Sequence, residues 1–325
     1  MINPKVTVLV PSFNHGCYLR KRIESIMAQT YGNFELIVID DCSSDDSAAI
    51  ITSLQTAYGF RYIANKKNSG TPFAAWEEIL PTADGDYIWI CESDDYADPF
   101  FLDCAVKAIT NVPNAVIAYC DSWIIDENDH QVDHTDTYFH DIWRESRWDK
   151  SFIQNGNEEL NNFQLRGQTV PNMSSMLIST AAFRKAFRPF MKKLKLTGDW
   201  LFVGLLMKYG AVVYFKKTLN CFRRHESTAR VRVKSARSQA EFILTKYILF
   251  LETKRPVGEF ASVMSTDAVR FLYEPAGLRE VVMTMMKISF LHTVRCGLYL
   301  TASLLINRDY LKQFYNRRKL VKRGA

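Results

Sequence analysis

Short apolar runs alternate with amphipathic stretches through the first part of the chain. Four runs rich in β-branched and aromatic residues predict strands, at residues 5–10, 34–40, 60–64 and 86–91. Between these runs apolar residues recur at helical spacing, and Pro72 suits the first turn of a helix over residues 72–80. Strands and helices that alternate in this way predict βαβ units, and therefore an α/β fold with a mostly parallel central sheet flanked by helices.

The later part of the chain reads less regularly. Residues 121–170 are polar, aromatic and irregular, and they predict loops with short elements. Two more strands are predicted at residues 174–179 and 211–215, with a helix over 197–210 between them that ends at Gly210.

Capping residues predict where two helices begin, and the pattern predicts a domain boundary. Ser43 or Ser44 is the expected N-cap of the second helix, and Asp98 is expected to cap a helix that opens with Pro99.

The pattern is helical from about residue 235. We therefore expect one α/β domain over residues 1–230 and a helical C-terminal region with a basic tail over residues 231–325.

The positive charge of the chain is concentrated at its C-terminus. There are 41 Lys and Arg residues against 35 Asp and Glu, which gives a formal net charge of +6. The last fifteen residues hold six basic residues and no acid. Such a tail favours an anionic partner, and we expect a membrane surface rather than nucleic acid.

The remaining composition points to the cytoplasm. Seven cysteines are scattered without a CxxC pair, which is typical of reduced thiols. The apolar run before Pro11 is too short for a secretory signal. Lys287, His292 and Arg295 interrupt residues 281–306, so no uncharged stretch there approaches the ~20 residues that cross a bilayer. The expected location is the cytoplasm, with peripheral attachment to the inner face of the cell membrane.

Three loops that leave predicted strands carry most of the candidate chemistry. They are PSFNHG (11–16), DDCSSDDS (40–47) and CESDD (91–95). Ligands of parallel sheets bind beyond the carboxyl ends of the strands, where the strand order reverses. If the first strand lies between the second and the fourth, all three loops meet at one crevice.

Such a crevice suits a nucleoside diphosphate. An aromatic ring stacks on the base, and carboxylates accept hydrogen bonds from the base and the ribose. Neighbouring carboxylates repel one another, so the acids that follow the fourth strand predict a bound cation. Mn²⁺ or Mg²⁺ fits, because these ions favour oxygen ligands and commonly bind through one or two carboxylates plus substrate phosphates.

These motifs resemble those of family 2 inverting glycosyltransferases of the GT-A fold. The resemblance runs from VTVLVPSFNHG through NSG to GDYIWICESDD and covers roughly residues 5–230. SDD (93–95) stands where the family has its acidic metal-binding motif, and TGDW (197–200) matches the later motif whose aspartate is the catalytic base. The resemblance implies a nucleotide-sugar donor, by default a UDP-sugar. It also implies a saccharide or polyprenyl-linked acceptor, in polysaccharide biosynthesis.

The resemblance also implies a role for individual residues. The implied base is Asp199, and the implied metal ligands are Asp95 and His225. The residues implied to bind the donor are Pro11, Phe13, Asn14, Asp41, Asn68, Asp94 and Arg224. One departure is that Ala75 and Trp76 stand where members often carry an Arg-Asn pair, so the donor contacts of that arginine need another source.

Other interpretations of the same residues stay open. A dehydrogenase would need G-x-G-x-x-G after the first strand, and a nucleotidyltransferase would need a glycine-rich basic loop, and PSFNHG is neither. A catalytically silent nucleotide-sugar-binding or scaffold subunit would carry the same motifs. Asp40 and Asp41 could cap the next helix, Asp199 could be an N-cap, and Phe13 could be a core aromatic.

Overall fold

The computed structural model of the chain describes residues 3–224, 235–264 and 275–306. The strands are β1 (Val6–Ser12), β2 (Phe34–Asp40), β3 (Arg61–Ala64), β4 (Tyr87–Ile90), β5 (Tyr96–Ala97), β6 (Ala115–Ile125), β7 (Gln131–His134), β8 (Phe152–Gln154), β9 (Met176–Ser179) and β10 (Ala211–Arg223). The helices are α1 (Gly16–Met27), α2 (Ser47–Tyr58), α3 (Pro72–Ile79), α4 (Phe101–Thr110), α5 (Thr135–Trp143), α6 (Gly156–Glu159), α7 (Thr180–Ala186), α8 (Gly198–Met207), α9 (Ser235–Leu251), α10 (Phe260–Val263) and α11 (Pro275–Ile306).

The strands of the described residues form one sheet. Their order is β3-β2-β1-β4-β9-β6-β10-β5, with β7 beside β6 and β8 beside β10. β3, β2, β1 and β4 run parallel, β6 and β10 are parallel to each other, and β9 is antiparallel to both of its neighbours. The predicted α/β class is confirmed. β1 lies between β2 and β4, which is the order that brings the three loops together.

Helices cover both faces of the sheet, because side chains of each strand alternate between the faces. Val6, Val8 and Val10 of β1 pack with α1, α2 and α4. Leu9 belongs to the opposite core, together with α3, α7, α8 and α9. Trp76 is buried in that second core, so the position where the family often has a donor-binding polar residue is part of the hydrophobic interior here.

The second helix begins later than predicted. α2 starts at Ser47, whereas the expected N-cap was Ser43 or Ser44. The Ser43 hydroxyl instead accepts a hydrogen bond from the Asn14 backbone N–H at 2.9 Å. The side chain is therefore committed to the first loop, and the chain stays irregular for a further three residues.

Other boundaries also differ from the prediction. α4 begins at Phe101 rather than at Pro99, and Asp98 Oδ1 accepts from the Phe100 N–H at 2.9 Å, just ahead of the helix. α8 ends at Met207, before Gly210. β6 was not predicted, although it has eleven residues and lies at the centre of the sheet.

The described C-terminal helices pack directly on the α/β core. A Cβ atom on Gly204 of α8 would lie 2.4 Å from Leu249 Cδ2 of α9, so these two helices are in close contact. α11 changes direction at Ser289, whose backbone is not helical (φ −157°, ψ 101°). Among the helices of the described residues, none has the length and apolar character needed to span a bilayer. The boundary near residue 230 stays a prediction.

Candidate active site

The first two strand-end loops are tied together by Asn14. This residue has a left-handed backbone (φ 54°), a conformation that asparagine tolerates better than most residues. Its side-chain oxygen accepts from the Ser44 backbone N–H at 2.7 Å. Beside it, Phe13 is 43% exposed and is therefore not a core aromatic. Pro11 lies on β1 alongside Ile39 of β2.

Asp41 joins the second loop to the NSG motif. Its Oδ1 accepts from Asn65 Nδ2 at 3.0 Å, and its Oδ2 accepts from the backbone N–H and the hydroxyl of Ser69 at 2.8 and 2.7 Å. Asp40 is buried, and its Oδ1 accepts from the Ser43 N–H at 3.2 Å. Neither aspartate caps α2, which begins at Ser47.

The NSG motif in turn contacts the segment before α8. Asn68 Oδ1 accepts from the Gly70 N–H, which stabilises the left-handed backbone of that glycine (φ 71°). Lys195 Nζ donates to the Gly70 carbonyl. This contact brings the TGD motif, two residues after Lys195, close to the predicted nucleotide-binding loops.

The third loop holds its acids at the end of β4. Asp95 is buried, its Oδ1 accepts from the Arg223 backbone N–H at 2.8 Å, and its Oδ2 accepts from Asn172 Nδ2 at 2.9 Å. His15 Nδ1 lies 2.8 Å from the Ser93 hydroxyl and connects the third loop to the first. All three loops therefore meet, as predicted.

Crowding of like charge perturbs these carboxyl groups. Burial, and then the charge of Asp94, raises the pKa of Asp95 to about 7. Burial, followed by the charges of Asp95, Asp94 and Asp199, raises the pKa of Glu92 well above its usual value. Hydrogen bonds also bring the predicted base near the third loop: Gln168 donates to Asp199, and Asn172, four residues later, donates to both Glu92 and Asp95.

A buried arginine offsets part of this negative charge. Arg22 of α1 is fully buried, and its guanidinium lies 5.2 Å from the centre of the Trp89 ring. The positive charge of Arg22 lowers the pKa of both Asp95 and Glu92, which opposes the increase caused by burial and by neighbouring carboxylates. Nothing in the sequence singles out this residue, because an arginine on an amphipathic helix is usually solvated.

Asp199 lies in the first turn of α8 and does not cap it. The N-cap position is Thr197. Asp199 Oδ1 accepts from the Trp200 N–H at 2.8 Å, and Oδ2 accepts from Gln168 Nε2 at 3.2 Å. A carboxylate held in this way can still accept a proton, because each of its oxygens has a second lone pair.

The two arginines that end β10 have different environments. Arg223 is buried, and its Nε donates to the Asp94 carbonyl at 2.8 Å. Its other nitrogens reach the Asp126 carbonyl and the Asp129 carboxylate. Arg224, the residue implied to bind the donor, is exposed. His225, the implied second metal ligand, lies outside the described residues.

The acidic loop has the chemistry of a divalent-cation site. Asp94 and Asp95 offer carboxylate oxygens, which suit Mg²⁺ and Mn²⁺, and such ions need few protein ligands when substrate phosphates complete the shell. Within the described ranges, the one cluster of three close metal-ligating side chains is elsewhere: Asp121, His134 and Asp136. Lys216 Nζ already pairs with both aspartates of that cluster and supplies its positive charge.

The sequence profile of Glycosyl transferase family 2 matches residues 7–186. The chain belongs to this family. The family assignment made from the motifs is thus confirmed.

Curated relatives match over parts of their length. A glycosyltransferase of Rickettsia typhi, itself described as uncharacterized, is 26% identical over 69% of this chain and 65% of its own length. Glycosyltransferase GlyA of Streptococcus pneumoniae is 34% identical over 34% of this chain and 16% of its own length. The chain therefore spans less than two thirds of these family 2 relatives.

Solved structures confirm the GT-A fold. S. aureus TarS 1–349 in complex with UDP-GlcNAc superposes with a TM-score of 0.68 at 17% identity, over 98% of this chain and 92% of that one. The mannosyltransferase PcManGT from Pyrobaculum calidifontis, in complex with GDP-Man and Mn²⁺, has a TM-score of 0.58 at 13% identity, over 99% and 86% of the two chains.

Proposed function

We propose that this chain is a metal-dependent inverting glycosyltransferase that moves a sugar from a nucleotide-sugar to a hydroxyl group. The observation that carries the proposal is the arrangement around one crevice. Asp41 and the pair Asp94–Asp95 surround it on strand-end loops. Asp199 is connected to the same place through residues 168–172, because Gln168 donates to Asp199 and Asn172 donates to Asp95. This reaction needs a nucleotide site and a carboxylate base beside it. Parallel sheets form nucleotide sites where the strand order reverses.

A UDP-sugar is the proposed donor. Asp41 accepts three hydrogen bonds from neighbouring residues, two of them on Oδ2, and the second lone pair of Oδ1 can accept from the N3–H of uracil. Phe13 is exposed beside it and can stack on the base, with Pro11, Asn14 and Asn68 in the adjoining loops. The UDP-GlcNAc complex of TarS favours this donor. Because PcManGT was solved with GDP-Man, a GDP-sugar is the alternative donor to test.

Asp95 is proposed to bind a divalent cation, and Asp94 is proposed to bind the ribose. His225 is proposed to complete the metal shell. When bound, Mn²⁺ or Mg²⁺ neutralises charge on the diphosphate. The Arg223 N–H and Asn172 hold Asp95 in place. Arg224, exposed at the end of β10, is proposed to bind the diphosphate.

Asp199 is the proposed general base. It takes the proton of the acceptor hydroxyl while that oxygen forms a bond to the anomeric carbon of the donor sugar. The bond from the anomeric carbon to the phosphate oxygen breaks, and the nucleoside diphosphate leaves from the opposite face. Attack opposite the leaving group inverts the configuration, and no second catalytic carboxyl group is required because the diphosphate is already a good leaving group.

We further propose that the acceptor is a saccharide on a polyprenyl carrier, reached at an anionic membrane surface. α11 exposes a stripe of apolar side chains: Met283, Phe290, Leu291, Val294 and Leu298. Lys287 and Arg295 are exposed on the same helix. Residues 281–325 contain nine Lys and Arg residues and one acid. An apolar helical face with cations beside it is typical of a protein that lies on an anionic bilayer.

The test of the catalytic proposal is Asp199→Asn. Affinity for UDP in Mn²⁺ should be preserved, because Asp199 lies outside the loops that hold the nucleotide. Release of UDP from UDP-GlcNAc should fall by ~10²–10⁴, the usual scale for loss of a general base. A matched control is Asp103→Asn, an acid in the first turn of α4 that pairs with Lys107 on the surface. Turnover that survives Asp199→Asn would overturn the assignment of the base. No release of UDP by the unchanged protein, with UDP still bound, would instead favour a silent nucleotide-binding subunit.

A further inference from the structure

A buried carboxylate of the C-terminal helices holds the segment that precedes Asp199. Glu241 of α9 is fully buried. Its Oε2 accepts from the backbone N–H groups of Lys195, Leu196 and Thr197 at 2.9, 2.7 and 3.3 Å, and its Oε1 accepts from the Lys195 N–H at 3.0 Å. Three successive backbone donors on one carboxylate fix the path of the chain as it enters α8.

Two further contacts belong to the same arrangement. Arg237 Nε donates to Glu241 Oε1 at 2.7 Å, which orients the carboxylate. The hydroxyls of Thr197 and Thr245 lie 2.8 Å apart. Thr197 is the N-cap residue of α8, yet its side chain makes no capping hydrogen bond. The first turn of α8 is therefore oriented by α9 rather than by a local cap.

Asp199 is two residues beyond this clamp. A general base must lie within hydrogen-bond reach of the proton that it removes, and a displacement of about 1 Å can cost ~10²-fold in rate. Gln168 donates to Asp199, and Trp200 exchanges hydrogen bonds with Gln164, so the segment over residues 164–168 holds the first turn of α8 from one side. Glu241 holds the backbone that enters this turn from the side of α9.

We propose that Glu241 is a positioning residue for the catalytic base, so that the C-terminal helix α9 is part of the machinery of the reaction. This inference rests on the proposed role of Asp199. Glu241 does not contact the reacting atoms. It fixes the backbone of residues 195–197, and through that segment it sets the place of the Asp199 carboxylate.

Glu241→Gln is the test variant. Glutamine keeps the shape of the glutamate side chain but has only one acceptor oxygen. Its NH₂ group would face the backbone N–H groups of residues 195–197, which are also donors. With UDP-GlcNAc and Mn²⁺, kcat for UDP release should fall roughly 10- to 100-fold while the donor KM is unchanged. Glu252→Gln is the matched control, because Glu252 pairs with Lys208 at the other end of the same α8–α9 contact. It removes a partly exposed ion pair, so it should cost little stability, and it should leave kcat unchanged. Equal kcat values for the two variants would overturn the proposal.

A double-mutant cycle separates positioning from general loosening. If Glu241 acts through Asp199, the two losses are not additive, and Glu241→Gln has no further effect in an Asp199→Asn background. Losses that multiply would overturn the proposal while leaving Asp199 as the base. An Asp199→Asn variant with full turnover would instead overturn the base assignment itself. If Glu241→Gln does not fold, Thr245→Val removes one contact to Thr197 without changing volume, and the same non-additivity is expected.

Discussion

Arg223 and Arg224 show how much the environment of a residue decides its role. Arg223 is the last residue of β10, and Arg224 follows it directly. Arg223 points inward and donates to a carbonyl of the acidic loop, whereas Arg224 is exposed. The sequence motif FRRHES contains both arginines, and nothing in its residues tells which one is buried against the acidic loop and which one is exposed.

Arg223→Lys should therefore destabilise the protein. A lysine cannot reproduce the planar fork that reaches Asp94, Asp126 and Asp129. Buried acceptors left without a donor cost about 1–3 kcal/mol, which urea unfolding would detect. Arg20→Lys on the exposed face of α1 is the control and should have no measurable effect. Equal stability of the two variants would mean that water replaces the lost donors.

Asp95→Asn should abolish metal-dependent nucleotide binding in a folded protein. The loss of a carboxylate ligand should weaken UDP affinity in Mn²⁺ by at least ~10²-fold, and removing one charge from the crowded loop should offset part of the cost to stability. Calorimetry with UDP and Mn²⁺ measures the first effect and thermal unfolding the second. Asp98→Asn, an exposed neighbour, is the control. Unchanged UDP affinity in Mn²⁺ would contradict the metal assignment.

The positions of the acidic residues could be predicted from sequence, but their supports could not. Asp41, Asp94 and Asp95 follow apolar strands whose topology is readable from periodicity. Asn172 and Arg223 reach Asp95 from 77 and 128 residues away in the chain. No local pattern indicates such a contact, because hydrogen bonds between distant segments depend on how the whole sheet is assembled.

At the scale of elements, the errors concern one strand and the boundaries of helices. β6 was missed although residues 115–120, AVIAYC, form an apolar run as continuous as those of β1 to β4. Asp121 and Ser122 are polar residues within the same strand, and Tyr214 donates to Asp121, which offsets the cost of burying that aspartate. The start of α2 was misplaced because Ser43 binds the first loop rather than the helix.

The approach of α8 to α3 depends on a missing side chain. A Cβ atom on Gly198 would lie 2.3 Å from the ring of Phe73, which is itself buried against Trp76. Gly198→Ala should therefore lower the free energy of unfolding by about 1–3 kcal/mol, the usual cost of overpacking, and reduce turnover because Asp199 moves with α8.

The control for this prediction is Gly32→Ala. No atom lies within 4 Å of a Cβ at Gly32, so the substitution should be neutral or slightly stabilising. Urea unfolding compares the two variants. If Gly198→Ala were as stable as the Gly32 variant, the contact between α8 and α3 would be looser than the geometry indicates.

At the scale of the whole molecule, charge is distributed unevenly. The part of the chain before residue 281 carries slightly more acids than bases, and the excess of positive charge follows the start of α11. The nucleotide crevice is acidic and the C-terminal region is basic, so the two regions suit different partners. A soluble nucleotide with a cation fits the first, and an anionic surface fits the second.

Truncation after Asn307 should abolish sedimentation with anionic vesicles and spare donor hydrolysis. Each Lys or Arg near such a surface contributes about 1 kcal/mol, so removal of the tail should be decisive at low salt. Neutral vesicles and a full-length protein with Lys66 and Lys67 changed to Gln, both far from the tail in sequence, are the controls. Equal sedimentation of the full-length and truncated proteins would contradict the role of the tail.

The contacts of Asp95 join residues that are far apart in the chain, so the parts of the site are synthesised at different times. A chain emerging from the ribosome displays every acid of the three loops once residue 95 has appeared, and domains generally fold as units as they are made. The backbone donor from Arg223 arrives more than a hundred residues later. The clamp of Glu241 on the entrance to α8 follows later still. A nascent chain therefore carries the acids of the donor site long before it can hold them in place, and the site is completed only after α9 has been synthesised.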